Sequence, residues 1–447
     1  MTLVPWAYFA ISLLCVLCVA TAYRPVRREP VSVLSFVIGW PVGELVIVNT
    51  ALALALTAVF GALGAFDAWP GDVGVALTVI GVAGLVGLAI AGRRDARIVA
   101  EAVSAVYVDP TASPRSLPQP EWGRWWRTTR AIPLWSRQAD VVKQIDYWGD
   151  GDRRHRLDIV RPRAGVVGAP VLIYIHGGAW VIGDKREQGK PMMNELVHRG
   201  WVCVTVNYRL SPKATWPDQI VDCKRAIAWV RSHIAEYGGD PSFVAVSGGS
   251  AGGHLCALAA LTAGDPEWQP GFEEDDTSVD ACIPFYGVMD MTGDPAASGL
   301  HGTGLLEMLE SRVMKVKAAD HPEVFRAASP TQRVHAGAPP FFVLQGGNDT
   351  LVPVEVARQF VDALRRTSSS PVAYAELPLA QHAFDVLASL RCQATTAGTI
   401  AFLDGVRDGS IATGPHRSGG AEGTESVTEG GGSGRGRGRV PQGDDLP

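Results

Sequence analysis

The sequence predicts an α/β protein: a mostly parallel sheet with helices on both faces, preceded by an N-terminal transmembrane helical region. Three observations carry this. From Val141 onward, short β-rich apolar runs alternate with stretches of helical periodicity, the pattern of repeated strand–helix units. One of those runs, Phe243–Val246, leads into Gly248-Gly249-Ser250-Ala251-Gly252, a G-x-S-x-G turn that opens a small-residue helix. Ahead of this, residues 1–98 hold three long stretches without a charge.

The first of these, Val4–Tyr23, is long enough to cross a hydrocarbon core as a helix, and Arg24, Arg27 and Arg28 follow it. The second, Leu45–Phe66, comes after Pro41, Gly43 and Glu44 and is followed by Asp67 and Asp72. The third, Val73–Ala91, is closed by Arg93, Arg94 and Arg97. With about three spans, the basic loops lie on one side and the acidic loop on the other. A multi-pass protein of the cell membrane is therefore expected, with the catalytic domain on the cytoplasmic side. Val31–Ile38 could be half of a further short span or a hairpin, and a fourth crossing would reverse that orientation. Ala20-Thr21-Ala22 resembles a signal-peptide cleavage site, yet no Lys or Arg precedes the apolar run. Glu44, beside Pro41 and Gly43 at a span's edge, reads as an interfacial residue.

Residues 99–140 form a connector in which Trp122, Trp125, Trp126 and Trp135 interleave with Arg124, Arg127, Arg130 and Arg137. Such a stretch suits a membrane surface or a lid, or packs onto the catalytic domain. Residues 141–407 form that domain. Its strand candidates are Val141–Tyr147, Arg156–Val160, Pro170–Ile175, Trp201–Tyr208, Phe243–Val246, Ala281–Tyr286, Phe341–Leu344 and Val372–Leu377. Helices are expected at Glu187–His198, Asp218–Tyr237, Ala251–Thr262, Val354–Arg366 and near Gln393–Leu403. An insertion near residues 291–340 carries Leu305, Met308, Leu309, Val313 and Val316 at the spacing of an amphipathic helix. It sits where a cap shapes the pocket above the strand ends. Residues 408–447 collapse to Gly, Ser, Thr, Glu and Arg, a disordered tail; Arg435, Arg437 and Arg439 alternate there with glycines.

A chain of 447 residues has room for about two or three units. Mean hydropathy is +0.11, the excess coming from the N-terminal region. Net charge is −5 and thinly spread, so no basic field invites nucleic acid. Seven cysteines, an odd number mostly inside apolar segments, read as small core residues rather than a disulfide framework. None has zinc-ligand spacing.

The chemistry lies in three distant stretches. A serine hydroxyl is a poor nucleophile until a base takes its proton. The G-x-S-x-G turn exposes Ser250 above the sheet, and small neighbours are needed because the turn is crowded. The attacked carbonyl becomes an oxyanion that needs preorganised donors. Ala251 at the helix start supplies one backbone N–H; Gly177 and Gly178, in His176-Gly177-Gly178-Ala179-Trp180, supply the others. His382, just past the last strand, is the base candidate, and Asp349, after the preceding strand, should orient it. Asp290 is the fallback acid. His176 orders the oxyanion loop and His254 is a packed neighbour. Trp180 walls an acyl pocket or fills core.

These residues resemble the hormone-sensitive-lipase-like branch of α/β-hydrolase carboxylesterases and lipases. The likeness covers roughly residues 141–405. It rests on HGGAW at 176–180, NYRLSP at 207–212, HIAEYGGDP at 233–241, GGSAGGHL at 248–255, GGNDTLVP at 346–353 and QHAF at 381–384. The resemblance implies an eight-stranded sheet and hydrolysis of carboxylic esters without metal or cofactor. Many members have a third glycine where Ala179 stands and an acidic residue where Gly249 stands. The membrane-attached arrangement is also similar to actinobacterial Lip-type esterases, and to isoprenylcysteine methylesterases.

The expected function is that of a membrane-anchored serine carboxylesterase acting on apolar esters, with a small-molecule or lipid ester as substrate. An acyltransferase or prenylcysteine-type methylesterase would use the same triad. A binding protein on a hydrolase scaffold is the alternative from another class.

Overall fold

The computed structural model describes residues 3–109, 134–293 and 304–412. Trp122, Trp125, Trp126 and their neighbouring arginines, the start of the insertion and the glycine-rich tail lie outside the described residues.

Eight strands form one sheet in the order β1-β2-β4-β3-β5-β6-β7-β8. They are β1 (Ala139–Asp146), β2 (Arg156–Pro162), β3 (Ala169–Ile175), β4 (Val202–Val206), β5 (Gly239–Gly249), β6 (Ala281–Phe285), β7 (Phe341–Gly346) and β8 (Val372–Leu377). Only β2 runs against its two neighbours; β3 through β8 are parallel. Every residue of β3, β4, β6 and β7 is buried. That is why these segments read as unbroken apolar runs rather than alternating ones.

Successive side chains of a strand point to opposite faces, and the two cores sort accordingly. Val171, Ile173 and Ile175 of β3 join a core with the helices Asp218–His233, Ala251–Leu261 and Val354–Thr367. Leu172 and Tyr174 join the other, with the helices Lys190–His198 and Leu390–Arg407.

Four helices precede the sheet: α1 (Leu3–Tyr23), α2 (Val31–Glu44), α3 (Val46–Ala62) and α4 (Trp69–Ser104). Among the described residues, α1 and α4 are each long and apolar enough to cross a membrane. The middle pair differs from a straight span: α2 meets α3 at 89°. The bend falls at Leu45, just after Pro41 and Gly43, which weaken helix continuity. With 36 residues, α4 is ~54 Å long, well beyond the ~30 Å of a hydrocarbon core. The surplus enters the catalytic domain, where Val99 and Val103 are fully buried with Phe342 and Phe402.

Glu44, read from the sequence as an interfacial residue at a span's edge, has a charged partner. It is buried at the end of α2 and paired with Arg391, whose Nε also bonds Asp95 of α4 at 2.7 Å. The guanidinium thereby neutralises two buried carboxylates at the junction of the N-terminal helices and the sheet domain. The seven cysteines are all free thiols. In the insertion, the expected amphipathic helix is a short helix, Leu305–Met308, running into a π-turn, Leu309–Val313, and Lys315 follows at φ 58°. Leu309 and Val313 face the core as their spacing suggests.

Candidate active site

The ends of β3, β5, β6, β7 and β8 meet at one edge of the sheet. Ile175 pairs with Gly248, and Gly249 with Phe285, so the loops that follow these strands emerge side by side. In an open parallel sheet this carboxyl edge is where ligands bind.

Ser250 sits between β5 and the helix Ala251–Leu261 with φ 57° and ψ −121°. The turn explains its glycines. A Cβ at Gly252 would lie 2.1 Å from the carbonyl oxygen of Ile175, and one at Gly248 would lie 2.5 Å from that of Gly252. The Ser250 N–H donates to Phe285 O at 3.0 Å, fixing the turn to the neighbouring strand. Ala251 opens the helix, so its N–H has no partner within it.

The oxyanion-loop candidates lie against this turn. A Cβ on Gly177 would come 3.1 Å from Ser250 Cβ. The Gly177 N–H, however, donates to Gln188 Oε1 at 2.8 Å. Gly178, at φ 119°, has a conformation suited to glycine alone. Ala179 at φ 51° occupies the left-handed region too, a conformation that favours glycine. His176 is the organiser of the loop. It is buried, stacks on Tyr208 at 4.4 Å, and its Nδ1–H donates to Gly177 O at 2.7 Å. Burial pulls its pKa down to about 4, so the ring is neutral at pH 7.

His382 follows β8 and Asp349 follows β7. His382 Nδ1 lies 2.7 Å from Asp349 Oδ2, with both side chains nearly fully buried. Asp349 is itself held: its Oδ1 accepts from the N–H groups of Leu351 and Val352, each at 2.8 Å, and Oδ2 accepts from Gln345 Nε2 at 3.1 Å. Nδ1 being committed to the carboxylate, Nε2 is the nitrogen left for chemistry. Among the described residues no hydrogen bond joins Ser250 Oγ to His382. Tyr286 lies between His382 and Gly249, the residue before Ser250: its ring is 4.5 Å from the imidazole and its Oη 2.7 Å from where a Cβ on Gly249 would be. Such bonds are often long without substrate and tighten when it binds.

The remaining candidates fall elsewhere. Asp290 accepts from the N–H and the hydroxyl of Thr292, both at 2.7 Å, and does not contact His382. His254 packs between Trp180 and Trp216 and bonds Ala328 O at 2.7 Å. Trp180 is 1 % exposed and belongs to the core, edge-on to His254.

Four residues at the site were not singled out in the sequence. Tyr286 follows β6 at φ 38°, donates to Asp385 Oδ1, and its Oη fills the space beside Gly249. The small Gly249 was its only sequence trace. Gln188 is the second. Phe36 and Trp40 come from α2: Phe36 lies edge-on to His382 at 5.9 Å, and Trp40 Nε1 donates to Ala383 O at 2.9 Å. Among the described residues no group of three or more His, Cys, Asp or Glu is arranged to hold a metal ion.

A serine on a strand-to-helix elbow, beside a buried His–Asp pair at the carboxyl edge of an eight-stranded sheet, defines the α/β-hydrolase fold. Known proteins agree. The BD-FAE family model matches residues 157–364. LipM of Mycobacterium tuberculosis, a probable carboxylic ester hydrolase, is 44 % identical over 400 residues, 86 % of this chain and 89 % of LipM. Esterase LipQ of the same organism is 49 % identical over 285 residues, 62 % of this chain and 66 % of LipQ. The solved truncated form of a carbohydrate esterase from gut microbiota shares the fold, with TM-score 0.52 at 24 % identity, covering 62 % of this chain and 99 % of that one. The chain belongs to the α/β-hydrolase esterase family and is a carboxylic ester hydrolase.

Proposed function

We propose that the protein is a membrane-anchored serine carboxylesterase for apolar acyl esters, with Ser250 as nucleophile, His382 as base and Asp349 orienting the base. The observation that carries this is the 2.7 Å His382–Asp349 contact beside the Ser250 elbow. His382 Nε2 takes the Ser250 proton as Oγ attacks the ester carbonyl. The resulting oxyanion draws on the N–H groups of Ala251 and Gly178, with Gly177 joining if the Gln188 amide gives way. The imidazolium, stabilised by Asp349, returns its proton to the departing alcohol and leaves an acyl-enzyme. Water activated by the same histidine then releases the acid.

Membrane attachment is supported by the length and apolarity of α1 and α4. The ends of these helices that carry Arg24 and Arg93 lie on the side of the sheet domain: Asn348 Nδ2 bonds Ala22 O at 3.0 Å, and Asp95 bonds Arg391. Basic flanks on that side favour a cytoplasmic catalytic domain. The direct test is Ser250→Ala, which is expected to abolish p-nitrophenyl ester turnover in a folded protein. Retained turnover overturns the mechanism.

A further inference from the structure

Both loops that carry the His–Asp pair are held by the segment between α1 and α3, not only by the sheet domain. On the Asp349 side, Asn348 Nδ2 donates to the carbonyls of Ala22 and Tyr23 at 3.0 and 3.2 Å. Arg27 donates to Gly347 O at 2.6 Å, and Thr350 Oγ1 to Ser32 O at 3.0 Å. On the His382 side stand Phe36 and Trp40, stacked on each other at 5.5 Å. These two are four residues apart and share one face of α2. Outside that face, Val33, Leu34 and Val37 are uncovered, each about half exposed. One side of α2 thus touches the imidazole while another presents bare aliphatic side chains next to two helices long enough to cross a bilayer.

The same helix reaches a cavity. Between α1, α3 and α4 lies an apolar space of about 220 Å³, lined by Ile11, Cys18, Leu52, Leu56 and Leu85, with Val42 of α2 on its wall. That exceeds the about 150 Å³ of an apolar cavity able to take benzene. Val42 is ~9 Å along the helix from Phe36, so one helix borders both the imidazole and the cavity.

We propose that α2 is an intramembrane gate: a lipid ester enters sideways from the bilayer past Phe36 and Trp40, and its acyl chain lies along α2 into the cavity between α1, α3 and α4. This rests on the esterase reading above and names its substrate class, a long-chain ester resident in the membrane. The bend at Leu45 is what permits it. A straight helix through this region would leave no element lying against the catalytic loops and returning into the apolar layer. The buried Glu44–Arg391 pair holds the bend to the sheet domain.

The test uses the full chain in phosphatidylcholine vesicles with two substrates, p-nitrophenyl hexadecanoate in the bilayer and p-nitrophenyl butanoate in water. Phe36→Ala should lower the long-to-short ratio of kcat/KM by about tenfold, the discrimination expected of a pocket contact. Gly81→Leu, which grows into the cavity from a position whose Cβ meets only Val16 at 3.7 Å, should do the same without touching the catalytic loops. An unchanged ratio in Gly81→Leu, or an equal fall on both esters in both variants, overturns the gate. Butanoate turnover and labelling of Ser250 by a small fluorophosphonate in the unaltered protein report separately on the esterase reading.

Discussion

Tyr286 donates a hydrogen bond to Asp385 while its ring packs on His382, so one side chain ties His382 to a second buried carboxylate. The tyrosine has this room because residue 249 is glycine: a Cβ there would lie 2.7 Å from Tyr286 Oη. Gly249→Ala is therefore expected to push the ring toward His382, costing about 1–3 kcal/mol of stability and lowering kcat. Adding Tyr286→Phe removes the clashing oxygen and should recover part of both. Thermal melts and steady-state kinetics on the two single variants and the double variant give the coupling, and additive losses would dismiss the clash.

Acid sensitivity follows from three buried groups. Burial lowers His176 and His254 from 6.5 to about 4 each. The folded state then binds fewer protons than the unfolded one between those values. This stability is complete above pH 6.5 and drains as pH falls toward 4, by about 3 kcal/mol per histidine. Asp385 works in the opposite sense. Burial, offset by the Tyr286 hydrogen bond, raises it from 3.8 to about 6, so its contribution is present below pH 3.8 and lost as pH rises through 6. Two histidines outweigh one carboxylate, and melting temperature should fall from pH 7 to 4. Asp385→Asn should steepen that fall and stabilise the protein at pH 7. A flatter profile in the variant would contradict the assignment.

Asp349→Asn keeps the shape of the side chain but offers a donor amide where His382 Nδ1–H needs an acceptor. With the imidazole turned to the wrong tautomer, kcat is expected to drop by about 10⁴ with little change in folding. Single-turnover kinetics with p-nitrophenyl butanoate measure this, and a loss below tenfold would remove Asp349 from the mechanism.

Arg391 faces Glu44 and Asp95 in a site with almost no solvent. Arg391→Ala strands two carboxylates, and a loss of about 3–5 kcal/mol is expected. Replacing all three together, Arg391→Met with Glu44→Gln and Asp95→Asn, should restore most of it, because the desolvation cost of the ions disappears with them. Denaturant melts in detergent distinguish the two outcomes.

The strands around the site were legible because burial on both faces leaves an apolar run that needs no partner to be read. The elbow glycines around Ser250 were legible for a different reason: a tight strand-to-helix turn is local and leaves a fixed spacing, whereas Asp349 and His382 could be picked out only by their order after the last strands. What escaped was long-range. Phe36 and His382 meet across more than three hundred residues of sequence, and nothing in an apolar stretch broken by Pro41 and Gly43 announces that its helix will turn aside. Tyr286 reads as one more strand aromatic until Gly249 is seen to make space for it. Glu44 looked like a span-edge residue because its cation, Arg391, sits at the far end of the chain.

The length of α4 has a practical meaning for anyone wishing to prepare a water-soluble esterase from this chain. Cutting after Gly92 would keep Val99 and Val103 in place but discard the helical lead that fixes their register. Cutting after Ser104 would bare Phe342, Phe402 and the groove at Gly398, where Val99 now fits. The last turns of α4 and the sheet domain share one hydrophobic interior, so a cut that removes those turns opens it.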